Sequence, residues 1–588
     1  LADNQDNPVR IAHEYKNETS QNRIIGGLNF ELKLAKGLTF KPSLAIDFMS
    51  SENSIWYPAS IGKNRTDSEA STTMTRKLMW INENILTYQK EFGDHNISAV
   101  GGVTIQSNQL NKLYTSAYHF ATESLPSING GVVNGGSYDK TEDRMLSYIA
   151  RLTYDYKRKY MIQGVFRADG SSRFGKNNKY GYFPSISAGW AMTEEKFMKP
   201  LKKVLSELKL RGSFGLSGNN AIGDYNYETK MSQQSYIVDG SVVSGWAPSN
   251  IANPDLKWEV KRTFNAGIDA GFFDNRFILA VDYYNSKTDD MLYLYDVSVP
   301  PFAYNKMLAN LGSMRNSGVE LGIGVTPLRT KDMELNINVN VTFQRNKLLS
   351  LSGYYKGEYM SAPEYTSISD LNGAGFHGGY NHIVYQMIGQ PLGVFYLPKC
   401  TGLVSDGNGG YKYEIEDLNG NGVSLEDGED RYIAGQAMPK TLLGSNISFR
   451  YKQFDLSVQI NGAFGHKIYN GTSLTYMNMD IFPDYNVLRE APSRNIQDQT
   501  ATDYWLEKGD YINFDYLTLG WNVPLGNLRK YVRNVRLSVS VNNLATITGY
   551  SGLTPMINSS IVNNTLGIDD KRSYPVVRSY TMGLSFNF

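Results

Sequence analysis

The chain has 588 residues, with Lys plus Arg at 58 against Asp plus Glu at 57. A net charge so close to zero removes any bulk electrostatic case for nucleic acid as a partner. Mean hydropathy is −0.38 and no run of 18 or more apolar residues occurs, which excludes a transmembrane helix but not a membrane barrel, whose hydrophobicity is hidden by alternation. The single cysteine, Cys400, forms no internal disulfide. Leu1 is not a start methionine and no signal segment follows it, so the sequence is expected to be processed or a fragment.

In chain order, Leu1 to Gln21 is polar and suggests no element. Asn22–Leu34 and Leu38–Met49 flank Ala35-Lys36-Gly37 and read as a hairpin. A polar loop carrying Trp56 and Tyr57 is expected next, then strands near Thr72–Phe92 and Asn96–Gln106 around Gly93-Asp94-His95. Leu146–Tyr156 and Tyr160–Ala168 repeat the pattern, and Tyr182–Met192 connects to Leu205–Leu216 through an expected helical turn over Glu194–Val204. Trp258–Phe272 with Arg276–Tyr284, and Gly318–Val325 with Met333–Gln344, form two further pairs. The last of these alternates most cleanly, Met333, Leu335, Ile337, Val339, Val341 and Phe343 against Glu334, Asn336, Asn338, Asn340, Thr342 and Gln344. Arg345 to Lys440 reads as the longest irregular loop. Thr441–Tyr451, Phe454–Asn461, Tyr511–Val523 and Val535–Asn542 follow.

The terminal stretch Tyr574–Phe588 closes the series. Tyr580, Met582, Leu584, Phe586 and Phe588 occupy one face and Ser579, Thr581, Gly583, Ser585 and Asn587 the other. A spanning β-strand needs about 9–11 residues with aromatics at the interfaces; Trp521, Tyr511 and Tyr580 are read as such a girdle. The expected fold is therefore all-β, a transmembrane antiparallel barrel, with about 17 strands joined alternately by short turns and long polar loops. Bacterial single-chain barrels are even-stranded, so an odd number of strands is expected ahead of Leu1.

Several stretches resemble the SusC/RagA family of TonB-dependent outer-membrane transporters. They are Phe166-Arg167-Ala168-Asp169-Gly170-Ser171-Ser172-Arg173-Phe174-Gly175, Tyr182-Phe183-Pro184-Ser185 with Gly189-Trp190, Leu208-Lys209-Leu210-Arg211-Gly212-Ser213, and Ser217-Gly218-Asn219. Further along stand Asn253-Pro254-Asp255-Leu256-Lys257-Trp258-Glu259, Asn310-Leu311-Gly312, Asn316-Ser317-Gly318-Val319-Glu320, Gly389-Gln390-Pro391-Leu392-Gly393-Val394-Phe395-Tyr396, Tyr516-Leu517-Thr518-Leu519-Gly520 and Tyr550-Ser551-Gly552. The resemblance implies a barrel of 22 strands in the bacterial outer membrane, with a plug domain and its first strands upstream of this sequence. It also implies TonB-driven import of an oligosaccharide or oligopeptide, glycan foremost, with a SusD-like surface lipoprotein as partner. A passive porin or a structural barrel are the alternatives.

Local motifs add little chemistry. Asp417-Leu418-Asn419-Gly420-Asn421-Gly422 resembles the start of a calcium loop, with Asp417, Asn419, Asn421, Val423 and Asp430 as candidate Ca2+ ligands. Gly428 stands where the bidentate acid belongs, and a solvated Asx/Gly turn is the competing reading. The histidines, His377 and His382 included, match no zinc spacing, and no hydrolase or P-loop motif occurs, so no enzyme activity is expected. Trp56, Tyr57, Trp246, Tyr354, Tyr355 and Tyr359 are the candidates for stacking on a substrate, with ordinary loop packing as the alternative.

Overall fold

The computed structural model describes residues 8–61, 67–297, 299, 304–355, 358–371, 382–422, 424, 429–483, 485–557, 565–570 and 575–587. Among the sequence assignments, His377, Val423, Gly428, Tyr574 and Phe588 lie outside them. The fold is all-β, and its largest sheet has 18 strands. Two of these, Lys16–Asn29 and Leu32–Ala35, lie end to end along the same neighbour, Leu38–Tyr57. They interrupt one stave at Phe30-Glu31, so the 18 strands make 17 staves among the described residues.

The chain divides into two compact units. One comprises Leu1–Ser187, Gly215–Lys261 and Asp290–Asn310; the other comprises Ala188–Phe214, Arg262–Asp289 and Leu311–Phe588. In the first, an unbroken antiparallel ladder runs through Leu38–Tyr57, Glu69–Phe92, His95–Tyr118, Val132–Tyr156 and Tyr160–Ser171. In the second, the ladder runs from the part of Lys306–Arg329 beyond Asn310 and Met333–Ser350 to Thr441–Tyr451, Phe454–Phe464, Tyr511–Asn522, Asn534–Thr548 and Ser579–Asn587. Two 3₁₀ turns, Met192–Glu194 and Lys196–Leu201, occupy the expected helical link.

Register gives each ladder one apolar and one polar face, because side chains alternate with period two. Val535, Leu537, Val539 and Val541 stand opposite Phe586, Leu584, Met582 and Tyr580, while Ser538 and Ser540 oppose Gly583 and Thr581. The apolar row is well exposed, Met582 at 86% and Leu152 in the first unit at 56%. Such a face is stable only against lipid or another protein.

The strands are longer than alternation suggested. Glu69–Phe92 and His95–Tyr118 have 24 residues each, about 80 Å at roughly 3.3 Å per residue, two to three times a hydrocarbon core of about 30 Å. On Leu38–Tyr57 the apolar face carries Phe40, Leu44, Ile46 and Phe48, then Ser50, Glu52 and Ser54. Beyond Phe48 the strand continues on a polar row, which is why it reads as loop.

The described residues of 345–440, the stretch expected as an irregular loop, are also folded. They hold the four-stranded sheet of Tyr365–Asp370, His382–Met387, Val394–Leu397 and Tyr432–Gln436, and the hairpin Cys400–Ser405/Tyr411–Ile415. Ile383, Phe395, Leu397, Tyr413, Tyr469 and Trp505 bury together there.

Candidate functional site

The polar face of each ladder is built from charges that neutralise one another. Arg211 takes Asp269 on Nε at 3.0 Å and on Nη2 at 3.1 Å, and bonds the Asp282 carboxylate through its other terminal nitrogen. Arg536 bonds Asp455, Nη2 to Oδ2, at 2.5 Å. In the first unit Arg167 Nε lies 2.7 Å from Asp169, with Nη2 donating to Ser147 Oγ at 3.2 Å. Arg23 and Asp47 pair at 2.6 Å. These are bidentate or near-bidentate forks on half-exposed side chains. Each contributes little to stability but fixes a charged, wettable wall opposite the apolar one.

Among the described residues of the first unit an apolar cluster gathers several of the motifs singled out in the sequence. Phe174, Phe183, Ile222, Leu256 and Trp258 bury together. Trp258 meets the rings of Phe174 at 5.3 Å and Phe183 at 5.4 Å, and its Nε1 donates to the Lys179 carbonyl at 3.0 Å. Asn178 Nδ2 donates to the Asp255 carbonyl, and a Cβ on Gly175 would stand 2.2 Å from the Pro254 carbonyl oxygen. Arg173 clamps Asp143 at 3.1 Å, Asp224 at 2.8 Å and the Asn220 carbonyl at 3.3 Å. Asn310 Nδ2 donates to the carbonyls of Lys257 and Asp290. These residues hold long connections to the strand ends, a structural role that their dispersed positions do not reveal.

The candidate stacking aromatics are not brought together. Trp56 ends the strand Leu38–Tyr57, not a loop, and is 5% exposed against Phe120 at 4.8 Å. By register it shares the face of Ile46 and Phe48 and lines a cleft of about 590 Å³ with Lys16, Glu52, Thr72 and Ile128. Tyr57 falls on the opposite face, edge-on to Tyr15 at 5.6 Å. Trp246 is 65% exposed on the hairpin Met231–Val238/Ser241–Pro248. Tyr354 and Tyr359 pair across the hairpin Gly353–Tyr355/Glu358–Met360, rings 5.2 Å apart, and Tyr355 is the partner of Glu358 in its register. Of the expected girdle residues, Trp521 stacks on Phe454 at 6.1 Å, while the Tyr511 ring meets His466.

Missed by the sequence is an aromatic knot in the second unit. Tyr365, Tyr385 and Tyr396 lie 5.6–5.9 Å apart, Arg431 stands 5.6 Å over Tyr396, and its Nη1 donates to the Tyr385 hydroxyl at 2.8 Å. Burial raises the Tyr396 hydroxyl above the usual phenol range. All three tyrosines lie within 345–440, which the sequence reads as loop, and a loop reading supplies no strand register to bring them together.

In the Asp417 turn, Oδ1 and Oδ2 of Asp417 accept from the backbone of Gly420 at 2.7 Å and Gly422 at 2.8 Å. Asp430 is fully buried and accepts from Leu418 N at 2.7 Å and Asn419 N at 3.3 Å. Asn419 Oδ1 accepts from Asn421 N at 3.0 Å, and its amide reaches Glu429 at 3.2 Å. Among the described residues no group of three or more His, Cys, Asp or Glu converges as a metal would require.

Comparison with known proteins bears on the whole ladder. Residues 2–544 match the family described as TonB dependent receptor-like, beta-barrel. The chain is 31% identical over its whole length to the TonB-dependent receptor P3 of Formosa agariphila, covering 60% of that protein. It is 29% identical over 76% of its length to the TonB-dependent receptor SusC of Bacteroides thetaiotaomicron, covering 44% of it. The chain thus spans about 60% of the length of its full-coverage relatives. Among solved structures, that of the RagAB peptide transporter superposes with a TM-score of 0.80 at 21% identity, over 99% of this chain and 63% of that one.

Proposed function

Because the chain belongs to the TonB dependent receptor-like β-barrel family, and so is an outer-membrane β-barrel chain, we propose that it forms most of the wall of a TonB-driven importer of oligomeric nutrients. The observation that carries this reading is the two-sidedness of the ladders: an exposed apolar row against lipid, backed by an ion-paired polar row wet enough to admit a hydrophilic solute. Gating is the task of such a protein, and the family is one of transporters. Glycan is the proposed cargo class and oligopeptide the alternative within the same family, with a SusD-like surface lipoprotein as the partner that closes over the long-loop side. Calcium at the Asp417 turn is the lesser reading beside a solvated Asx/Gly turn, because the carboxylate oxygens of Asp417 and Asp430 already accept backbone N–H groups.

The test uses cells that express the full-length protein or lack its gene. Uptake of a fluorescent oligosaccharide mixture and of an oligopeptide mixture is followed with and without a protonophore. Loss of energy-dependent oligosaccharide uptake on deletion is expected. Loss of peptide uptake alone selects the alternative, and uptake insensitive to the protonophore overturns active import.

A further inference from the structure

A cleft of about 400 Å³ in the second unit lies where the strands Thr441–Tyr451, Phe454–Phe464 and Tyr511–Asn522 meet the folded loop. Its floor is apolar, made by Val394 and Ile433 with Pro391, and its walls carry Lys440, Lys467 and Lys508 against one carboxylate, Asp510. That carboxylate is already engaged, Oδ1 accepting the Gly465 N–H at 2.7 Å. Among the described residues none of the three ammonium groups has a carboxylate in ion-pair range, whereas Lys399 pairs with Glu416 and Lys257 with Asp290.

A second observation comes from register. Lys467 and Lys508 stand directly opposite each other in the antiparallel pair Lys467–Asn470/Leu506–Lys508. Like charges facing across a ladder are destabilising. In a chain whose charges balance almost to unity, 58 against 57, three cations with no ion-pair partner among the described residues, converging on one apolar-floored cleft, are a local excess. A low-polarity floor weakens solvent screening and strengthens attraction for an opposite charge. An oxyanion between the two ammonium groups would turn the repulsion into two charge-assisted hydrogen bonds.

We propose that this cleft is an anion-binding site, taking one sulfate, phosphate or carboxylate group between Lys467 and Lys508 with Lys440 as the third contact. The group has two sources, the head of a phosphorylated membrane glycolipid or an acidic residue of the cargo. Either would be recognised by the same three cations.

The test is equilibrium dialysis of radiolabelled inorganic sulfate against the full-length protein in detergent, which reads binding and not transport. Saturable binding is expected, weakened at least tenfold by the double change Lys467→Gln and Lys508→Gln and retained when both become Arg. Equal affinity in the Gln double variant, or no saturable binding by the wild type, overturns the proposal. Folding of each variant is checked by the heat-dependent gel shift of barrels. If the double variant does not fold, Lys440→Gln, at an exposed position, replaces it with at least a threefold loss expected; an unchanged affinity overturns the proposal. Glycolipid phosphate that co-purifies with the wild type and not with the Gln variant supports the headgroup source. Displacement of sulfate by an acidic but not a neutral oligosaccharide supports the cargo source. Sulfate that neither displaces is an adventitious ion only, and the proposal falls.

Discussion

At Gly175 the backbone approaches the Pro254 carbonyl so closely that a methyl group would lie 2.2 Å from its oxygen. Gly175→Ala must therefore push two connections apart, at about 1–3 kcal/mol as for other overpacked sites. Trp258→Ala removes the ring that joins Phe174 to Phe183 and leaves a cavity, an expected loss of about 3–5 kcal/mol. Denaturant titration of the refolded barrel checks both, and a Trp258→Ala protein as stable as the wild type would contradict the packing described. His466 supplies a pH test. Burial lowers its folded-state pKa, opposed by the charge of Asp510, while Gly509, the Tyr511 ring and the cleft residues Lys440, Lys467 and Lys508 stand around it. A depressed folded value means that the contribution of the neutral ring is fully present above the unfolded value of about 6.5 and is lost as pH falls through the folded one. The unfolding midpoint is expected to fall between pH 7.5 and 5, less steeply in His466→Gln.

At the scale of the strand, face assignment rests on register. Val539 lies in the middle of the apolar row opposite Met582, and Thr581 lies on the polar row opposite Ser540. Val539→Lys is expected to cost about 2–4 kcal/mol in lipid vesicles, as for a charge at mid-bilayer; Thr581→Lys should cost less than about 0.5 kcal/mol. Equal costs would show that the faces are wrongly assigned. The same logic moves Trp56, read from the sequence as a loop aromatic, onto a strand, in the row of Ile46 and Phe48. Its alternation with Ser54 and Glu52 was legible as residues but not as strand, because above the lipid the outward row is polar on both sides and the period-two hydrophobic signal disappears.

In the first unit, strands of 20–25 residues are longer than a bilayer requires and extend beyond it on their long-loop side. With Cys400 changed to Ser, a cysteine at Glu52 is expected to react with an impermeant maleimide on intact cells, and one at Gln453, in the short turn after Tyr451, only after lysis. Labelling of Gln453→Cys on intact cells would invert the topology.

The alternation of Met333–Gln344 and Ser579–Asn587, the short turns and the count of 17 staves were all determined by the sequence alone, because a residue's side of a sheet follows from its parity. The family was legible for a related reason: its motifs are the residues that clamp Gly175 to Pro254 and Arg173 to Asp143 and Asp224, and few other residues satisfy such contacts. Only the tertiary structure decided the rest. The core of the folded loop draws Ile383, Phe395, Tyr413 and Tyr469 from strands of four to six residues and Trp505 from the 3₁₀ turn Asp503–Trp505, all too short to show a period. The cleft of Lys440, Lys467 and Lys508 joins residues up to 68 positions apart; only register and loop closure make them neighbours.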